Sequence, residues 1–181
     1  MRYASAAGWL VLGGIIAACR TGSEGTLQAR WTALDTALGS GSLALPFKGT
    51  WCASRGRLTL LGVSGDTGVG ILVRTVKLEP GLFPVSDTMV ARSPGSAIAF
   101  RLANASNLFT LSGDSGAVAL TSTADGDLAG RFVGWFSRSG GGPVVLQGRF
   151  KGVSPAPDTV RCESTAPRAP VPAPAPDSGV S

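Results

Sequence analysis

The chain has 181 residues, with 16 basic and 11 acidic side chains, a formal charge of +5 and no histidine. The lack of histidine excludes a Ser-His-Asp catalytic triad and leaves the cysteines without the usual partners for a zinc site. The basic residues are scattered, without a dense block or a basic helix, which argues against nucleic acid as a partner.

The first 19 residues carry the features of an export signal. A short positive segment, MRY, precedes residues 4–18, which contain no charge and include the apolar stretch WLVLGGIIAA. This layout is typical of a cleaved secretory signal and is short for a permanent transmembrane helix. The closing letters IAAC, residues 16–19, resemble a bacterial lipobox. The resemblance implies that residues 1–18 form a signal peptide and that Cys19 becomes the lipidated first residue of the mature protein.

A lipidated Cys19 would attach the protein to a membrane. Several acyl chains together anchor stably, whereas one chain binds only marginally. Arg20 follows the cysteine, where an Asp would signal retention in the inner membrane of some bacteria, so the outer membrane is favoured over the inner one. The expected location is therefore the bacterial cell envelope. The alternative is an ordinary secretory signal that happens to end at a cysteine.

The first predicted element of the mature chain is a helix. Leu27, Trp31, Leu34 and Leu38 are spaced by 4, 3 and 4 residues, which places them on one helical face, with Thr26 as a possible cap.

The remainder alternates with period two between glycine-rich turns. Strands are predicted at 43–51, 57–64, 69–78, 96–103, 108–111, 117–122, 127–138 and 144–153, with a short strand at 82–85. Evenly spaced strands without a βαβ rhythm indicate an antiparallel β-sandwich or barrel, with one N-terminal helix. In the last strand Gln147, Arg149 and Lys151 share one face.

The domain boundaries follow from composition. Residues 19–23 are the lipidated N-terminus and linker, 24–163 the β-domain with its helix, and 164–181 a tail rich in proline and alanine. Proline at nearly every second or third position of the tail predicts disorder or a polyproline-II spacer.

Cys52 and Cys162 remain once Cys19 is assigned to lipid. In an exported protein two such cysteines are expected to form a disulfide, which here would join the two ends of the domain. Two reduced thiols, or half of a metal site, are the alternatives.

Ser115 lies in LSGDSGAVAL, whose Gly-Asp-Ser-Gly also surrounds the nucleophile of trypsin-like proteases. No histidine is present to accept its proton, and Lys48, Lys77 and Lys151 stand in no Ser-x-x-Lys motif. VSGDTGVGIL repeats the same pattern, so we interpret both copies as hairpin turns and predict no catalytic residue.

Two further sites are considered. Asp66, Asp114, Asp125 and Asp127 lie in turns with too few ligands for calcium, so neither metal nor cofactor is expected. Gly49-Thr50-Trp51 resembles the Gly-x-Trp motif of lipocalins, and the resemblance implies a barrel with an apolar ligand inside. The candidate lining residues of such a cavity are Trp51, Phe132, Trp135 and Phe136, although core packing would explain the same residues.

Two functions follow. The first is a membrane-anchored, non-enzymatic lipoprotein that binds an envelope protein or a wall polymer. The second is a lipocalin-like carrier of a lipid or another apolar small molecule. A dry, tightly packed core between two sheets would favour the first, and a closed barrel with an internal cavity the second.

Overall fold

The computed structural model of the protein describes residues 22–34, 38–87, 93–104, 107–123, 125–137, 141–158 and Cys162. The predicted signal peptide, Cys19 and the predicted tail at 164–181 lie outside these residues. Within the described part of the chain, no helix is long and apolar enough to cross a membrane.

Nine strands close into one barrel, which decides between the two predicted β architectures. The ring runs β1-β10-β9-β8-β5-β6-β4-β3-β2 and closes because β1 also pairs with β2. Short β7 adds to the free part of the β6 edge, and two-residue β11 runs parallel to the end of β2. The strands are β1 (Gly25–Ala33), β2 (Ser40–Cys52), β3 (Arg57–Ser64), β4 (Thr67–Arg74), β5 (Gly81–Ser86), β6 (Gly95–Ala103), β7 (Leu108–Ser112), β8 (Ser115–Ser122), β9 (Leu128–Phe136), β10 (Val144–Val153) and β11 (Ala156–Pro157).

The predicted N-terminal helix is wrong, because residues 25–33 form strand β1. Leu27 and Trp31 are four residues apart, a spacing that fits both a helical face and a strand face. Ala29, between them, is buried as well, so the observed period is two, and Leu34 is 80% exposed. The pairing of β1 with β2 and with β10 outweighs the weak local preference of this segment for a helix.

The ring is weakest between β5 and β6, where the backbones form a single parallel bridge from Val85 to Ser96. The fully buried Ser96 hydroxyl compensates at this point, since its Oγ lies 3.0 Å from the carbonyl oxygen of Phe83 and 3.1 Å from that of Pro84. It can donate a hydrogen bond to either, so a side chain helps to hold the two strands together.

Aromatic rings lie over glycines inside the barrel. Phe132 pairs with Gly148 and Phe150 with Gly130 across β9 and β10. A Cβ added at Gly148 would stand 2.7 Å from the Phe132 ring, and one at Gly130 would stand 2.5 Å from the Phe150 ring. Each ring therefore occupies the space that a side chain on its partner would need. Trp31 lies over Gly41 in the same way.

The two Ser-Gly-Asp-Ser/Thr-Gly segments have different structures. The first is the predicted hairpin, in which Ser64 pairs with Thr67 and Gly65 has a positive φ of 56°. The second is not a hairpin, because β7 pairs with β6 whereas β8 pairs with β5 and β9. The positive φ, 140°, falls there on Gly116. The same letters thus serve as a tight turn once and as a crossover once.

The predicted disulfide between Cys52 and Cys162 is confirmed, with Cα atoms 5.7 Å apart and 110 residues between them in sequence. Asp158, which precedes Cys162, also contacts β2 and β3. The Asp158 backbone N–H donates to the Trp51 carbonyl oxygen at 3.0 Å, and its carboxylate lies 3.5 Å from Arg57 Nη2. Closing a loop of this length removes roughly 4–5 kcal/mol of unfolded-chain entropy in the chain-entropy model.

We expect Gly130→Ala to lower the free energy of unfolding by about 1–3 kcal/mol, because the methyl group overlaps both the Phe150 ring and the carbonyl oxygen of Ala119. Gly70→Ala is the matched control, since a Cβ there meets nothing closer than 3.9 Å. It should leave stability unchanged or raise it by up to about 1 kcal/mol. Urea unfolding of the two variants checks this, and equal midpoints would contradict the account of the interior.

Candidate functional site

The barrel interior is filled with apolar side chains. Leu27, Phe47, Leu58, Leu60 and Leu146 are fully buried. Aromatic contacts join strands that are not neighbours in sequence, with ring centroids 5.4 Å apart for Phe47 and Phe150. Inward-facing positions of the barrel thus pack against one another.

The four aromatic residues predicted to line a cavity do not come together in one. Phe132 and Phe136 point inward and are 4% and 1% exposed, within the packed core. Trp51 is half-buried against that core on β2. Trp135 lies on the outside of β9 and is 45% exposed.

Ser115 is exposed at the start of β8, and its cross-strand neighbours are Ser86 on β5 and Trp135 on β9. Neither neighbour can act as a general base. The nearby Asp114 carboxylate accepts a hydrogen bond from the backbone N–H of Ser137, and its own N–H donates to the Trp135 carbonyl oxygen at 2.8 Å. This aspartate therefore ties the crossover to the end of β9.

Two of the other turn aspartates also have structural partners. Asp66 pairs with Arg101 at 3.0 Å between exposed side chains, and the Asp127 carbonyl oxygen accepts from the Thr123 N–H at 2.8 Å. Among the described residues, no cluster of three or more acidic or cysteine side chains could hold a metal ion.

A groove of about 700 Å³ lies on the outside of the barrel, across β1, β10, β9, β8 and β5. Among the described residues that line it, none is acidic. Its polar residues are three arginines and two glutamines, whereas its apolar side is formed from β5, β8 and β9. We call this concavity the groove; its lining residues are Gln28, Ala29, Arg30, Leu82, Ala117, Ala119, Arg131, Phe132, Val133, Gln147, Gly148 and Arg149.

Two of the arginines are held by glutamines directly opposite them on the neighbouring strand. Gln28 Oε1 accepts from Arg149 Nε at 3.1 Å and from Arg149 Nη2 at 2.9 Å. With its amide oxygen toward Arg30, Gln147 accepts from Nε at 2.8 Å and from Nη2 at 3.1 Å. Because each glutamine engages only two of the five N–H groups of its arginine, the guanidinium groups keep donors for a ligand.

Arg131 lies directly opposite Arg149 across β9 and β10. Among the described residues, no acid forms an ion pair with either guanidinium. Like charges placed opposite each other in a sheet destabilise it. Three guanidinium groups gathered without an acid form a site suited to a phosphate or carboxylate group.

The groove was not predicted from the sequence, although one signal was present. The alternation in β10 placed Gln147, Arg149 and Lys151 on one polar face, as the structure has them. What was missing is the strand order, which brings Arg30 of β1 and Arg131 of β9 to either side of β10.

Comparison of the chain with protein-family models, with curated proteins and with solved structures finds no match.

We expect Arg131→Gln to raise the free energy of unfolding at low ionic strength by about 0.2–1 kcal/mol, because it removes repulsion from Arg149. The gain should shrink in high salt, which screens exposed charges. Urea unfolding at the two salt concentrations measures it. A variant less stable than the wild type at low salt would mean that Arg131 serves the fold rather than a ligand.

Proposed function

We propose that the protein is an exported, lipid-anchored, non-enzymatic binding module of the bacterial envelope, attached through Cys19 and acting through the groove. The observation that carries this proposal is a basic groove, lined by no acid of the described chain, on the outside of a barrel whose interior is packed. The outer membrane is the proposed location, on the basis of Arg20 after the lipidated cysteine.

The packed interior supports surface binding over an internal carrier. A carrier barrel needs unfilled space inside for its ligand. The inward side chains of Phe132, Phe136 and Leu146 are instead buried together in one hydrophobic core. The alternative, a lipocalin-like carrier, would need these side chains to move apart. The groove is already open to solvent and needs no such rearrangement.

Two observations support the export and the lack of catalysis. The disulfide between Cys52 and Cys162 is of the kind that persists in oxidising compartments. Ser115 faces Ser86 and Trp135 rather than a base, and the chain contains no histidine. The guanidinium groups of the groove can bind an anion through their N–H donors, but they cannot act as nucleophiles.

We expect the protein, made in a bacterium supplied with labelled palmitate, to carry the label and to sediment with membranes. Cys19→Ser should abolish the label and release the protein from the membrane fraction, because the acyl acceptor is gone. The matched control is the double variant Cys52→Ser with Cys162→Ser, which also loses cysteines but should keep the label. A wild-type protein that is exported without label would contradict the proposed anchoring.

A further inference from the structure

The outward side of the five groove strands changes from basic to apolar across the barrel. We call this side the groove face. At one level of the register Arg149, Arg131, Ala119 and Leu82 lie side by side. At the next level the series is Arg30, Gln147, Val133, Ala117 and Pro84. The cations thus lie on β1, β10 and β9, and the apolar side chains on β9, β8 and β5.

The apolar half is exposed rather than covered by another part of the described chain. Leu82 is 70% exposed, and Trp135 follows Arg131 and Val133 as the next outward residue of β9. Val145 of β10 lies beside Trp135. None of the outward positions of β1, β10, β9, β8 and β5 is acidic. An exposed surface with arginines on one side and leucine, valine and tryptophan on the other is amphipathic.

We infer that the groove face docks on the surface of a bilayer rich in anionic phospholipid, with lipid phosphates held by Arg30, Arg131 and Arg149. Guanidinium forks match the oxygens of a phosphate, and each basic residue near an anionic bilayer adds to binding. Trp135 and Leu82 then lie at the level of the headgroups, where amphipathic aromatic side chains favour the boundary between water and lipid.

A bilayer surface fits better than a soluble anion for two reasons. A free phosphate would use the arginines but would leave Leu82, Val133 and Trp135 in water. The proposed anchor point is also close to the barrel in sequence, because β1 begins six residues after Cys19. Six residues span at most roughly 20 Å, so an anchor at Cys19 would keep the barrel at the membrane surface. This second reason rests on the proposed function, whereas the first does not.

The test uses unlipidated protein from Arg20 onward, which contains every described strand and the disulfide, with its fold checked by circular dichroism. Its binding is measured by sedimentation with vesicles of phosphatidylcholine alone and with vesicles of equimolar phosphatidylcholine and phosphatidylglycerol. Tryptophan fluorescence is recorded in parallel, and Trp135→Phe identifies the contribution of that side chain. Inorganic phosphate is added in a separate titration as a competitor.

The matched pair of variants keeps the net charge equal. Arg131→Gln with Arg149→Gln removes two cations from the groove, and Lys48→Gln with Arg55→Gln removes two exposed cations from elsewhere. We expect binding to anionic vesicles, a blue shift that depends on Trp135, and about 25-fold weaker binding of the groove variant. The control pair should bind nearly as tightly as the wild type.

Three results would overturn the inference: equal binding to both vesicle types, equal weakening by both double variants, or saturable binding of phosphate without binding to vesicles. The last result would assign the groove to a small soluble anion. Because the protein in this test carries no lipid, its outcome is independent of the palmitate experiment. A wild-type protein that carries no label but binds the vesicles would count against the anchor alone. A wild-type protein that carries the label but does not bind the vesicles would count against the docking face alone.

Discussion

The packing of aromatic rings against glycines is the constraint on which the rest of the structure depends. Phe132 over Gly148, Phe150 over Gly130 and Trp31 over Gly41 place large side chains inside a barrel of nine strands. A β-carbon on any of these glycines would overlap the aromatic ring that lies over it, so each ring requires a glycine at the opposite position. Rings that fill the space above glycines give a dense interior, and dense interiors have no room for a ligand without rearrangement.

Because the interior is filled, we propose recognition on the outside of the barrel. There the chain places Arg131 opposite Arg149 with no acid between them, an arrangement that weakens the sheet slightly. Gln28 and Gln147 orient the neighbouring guanidinium groups without neutralising them. The anionic partner that we propose would account for this charge arrangement, which the fold does not need, on a surface that is otherwise part apolar. The pairing of β1, β10 and β9 sets the register of the three arginines relative to one another.

Much of the fold could be predicted from the sequence, because period-two alternation and glycine turns are local signals. The strands at 57–64 and 144–153 and the pairing of Cys52 with Cys162 are examples. The sequence predicts a helix over residues 25–33 because the spacing of Leu27 and Trp31 fits a helix as well as a strand. The groove could not be predicted, since Arg30 meets Gln147 only through the closure of the ring, a non-local property. Cys19, the residue on which the proposed location depends, lies outside the described residues.

The most direct test of recognition on the outer face is an NMR titration of the isotopically labelled protein with lipid nanodiscs that contain phosphatidylglycerol. The account predicts that the chemical-shift changes concentrate at the outward residues of the groove face, around Arg131, Arg149 and Trp135. The amides and side chains of inward residues such as Phe100 and Phe136 should keep their shifts. Changes that are largest at those inward residues would show that a ligand enters the barrel and would contradict the account.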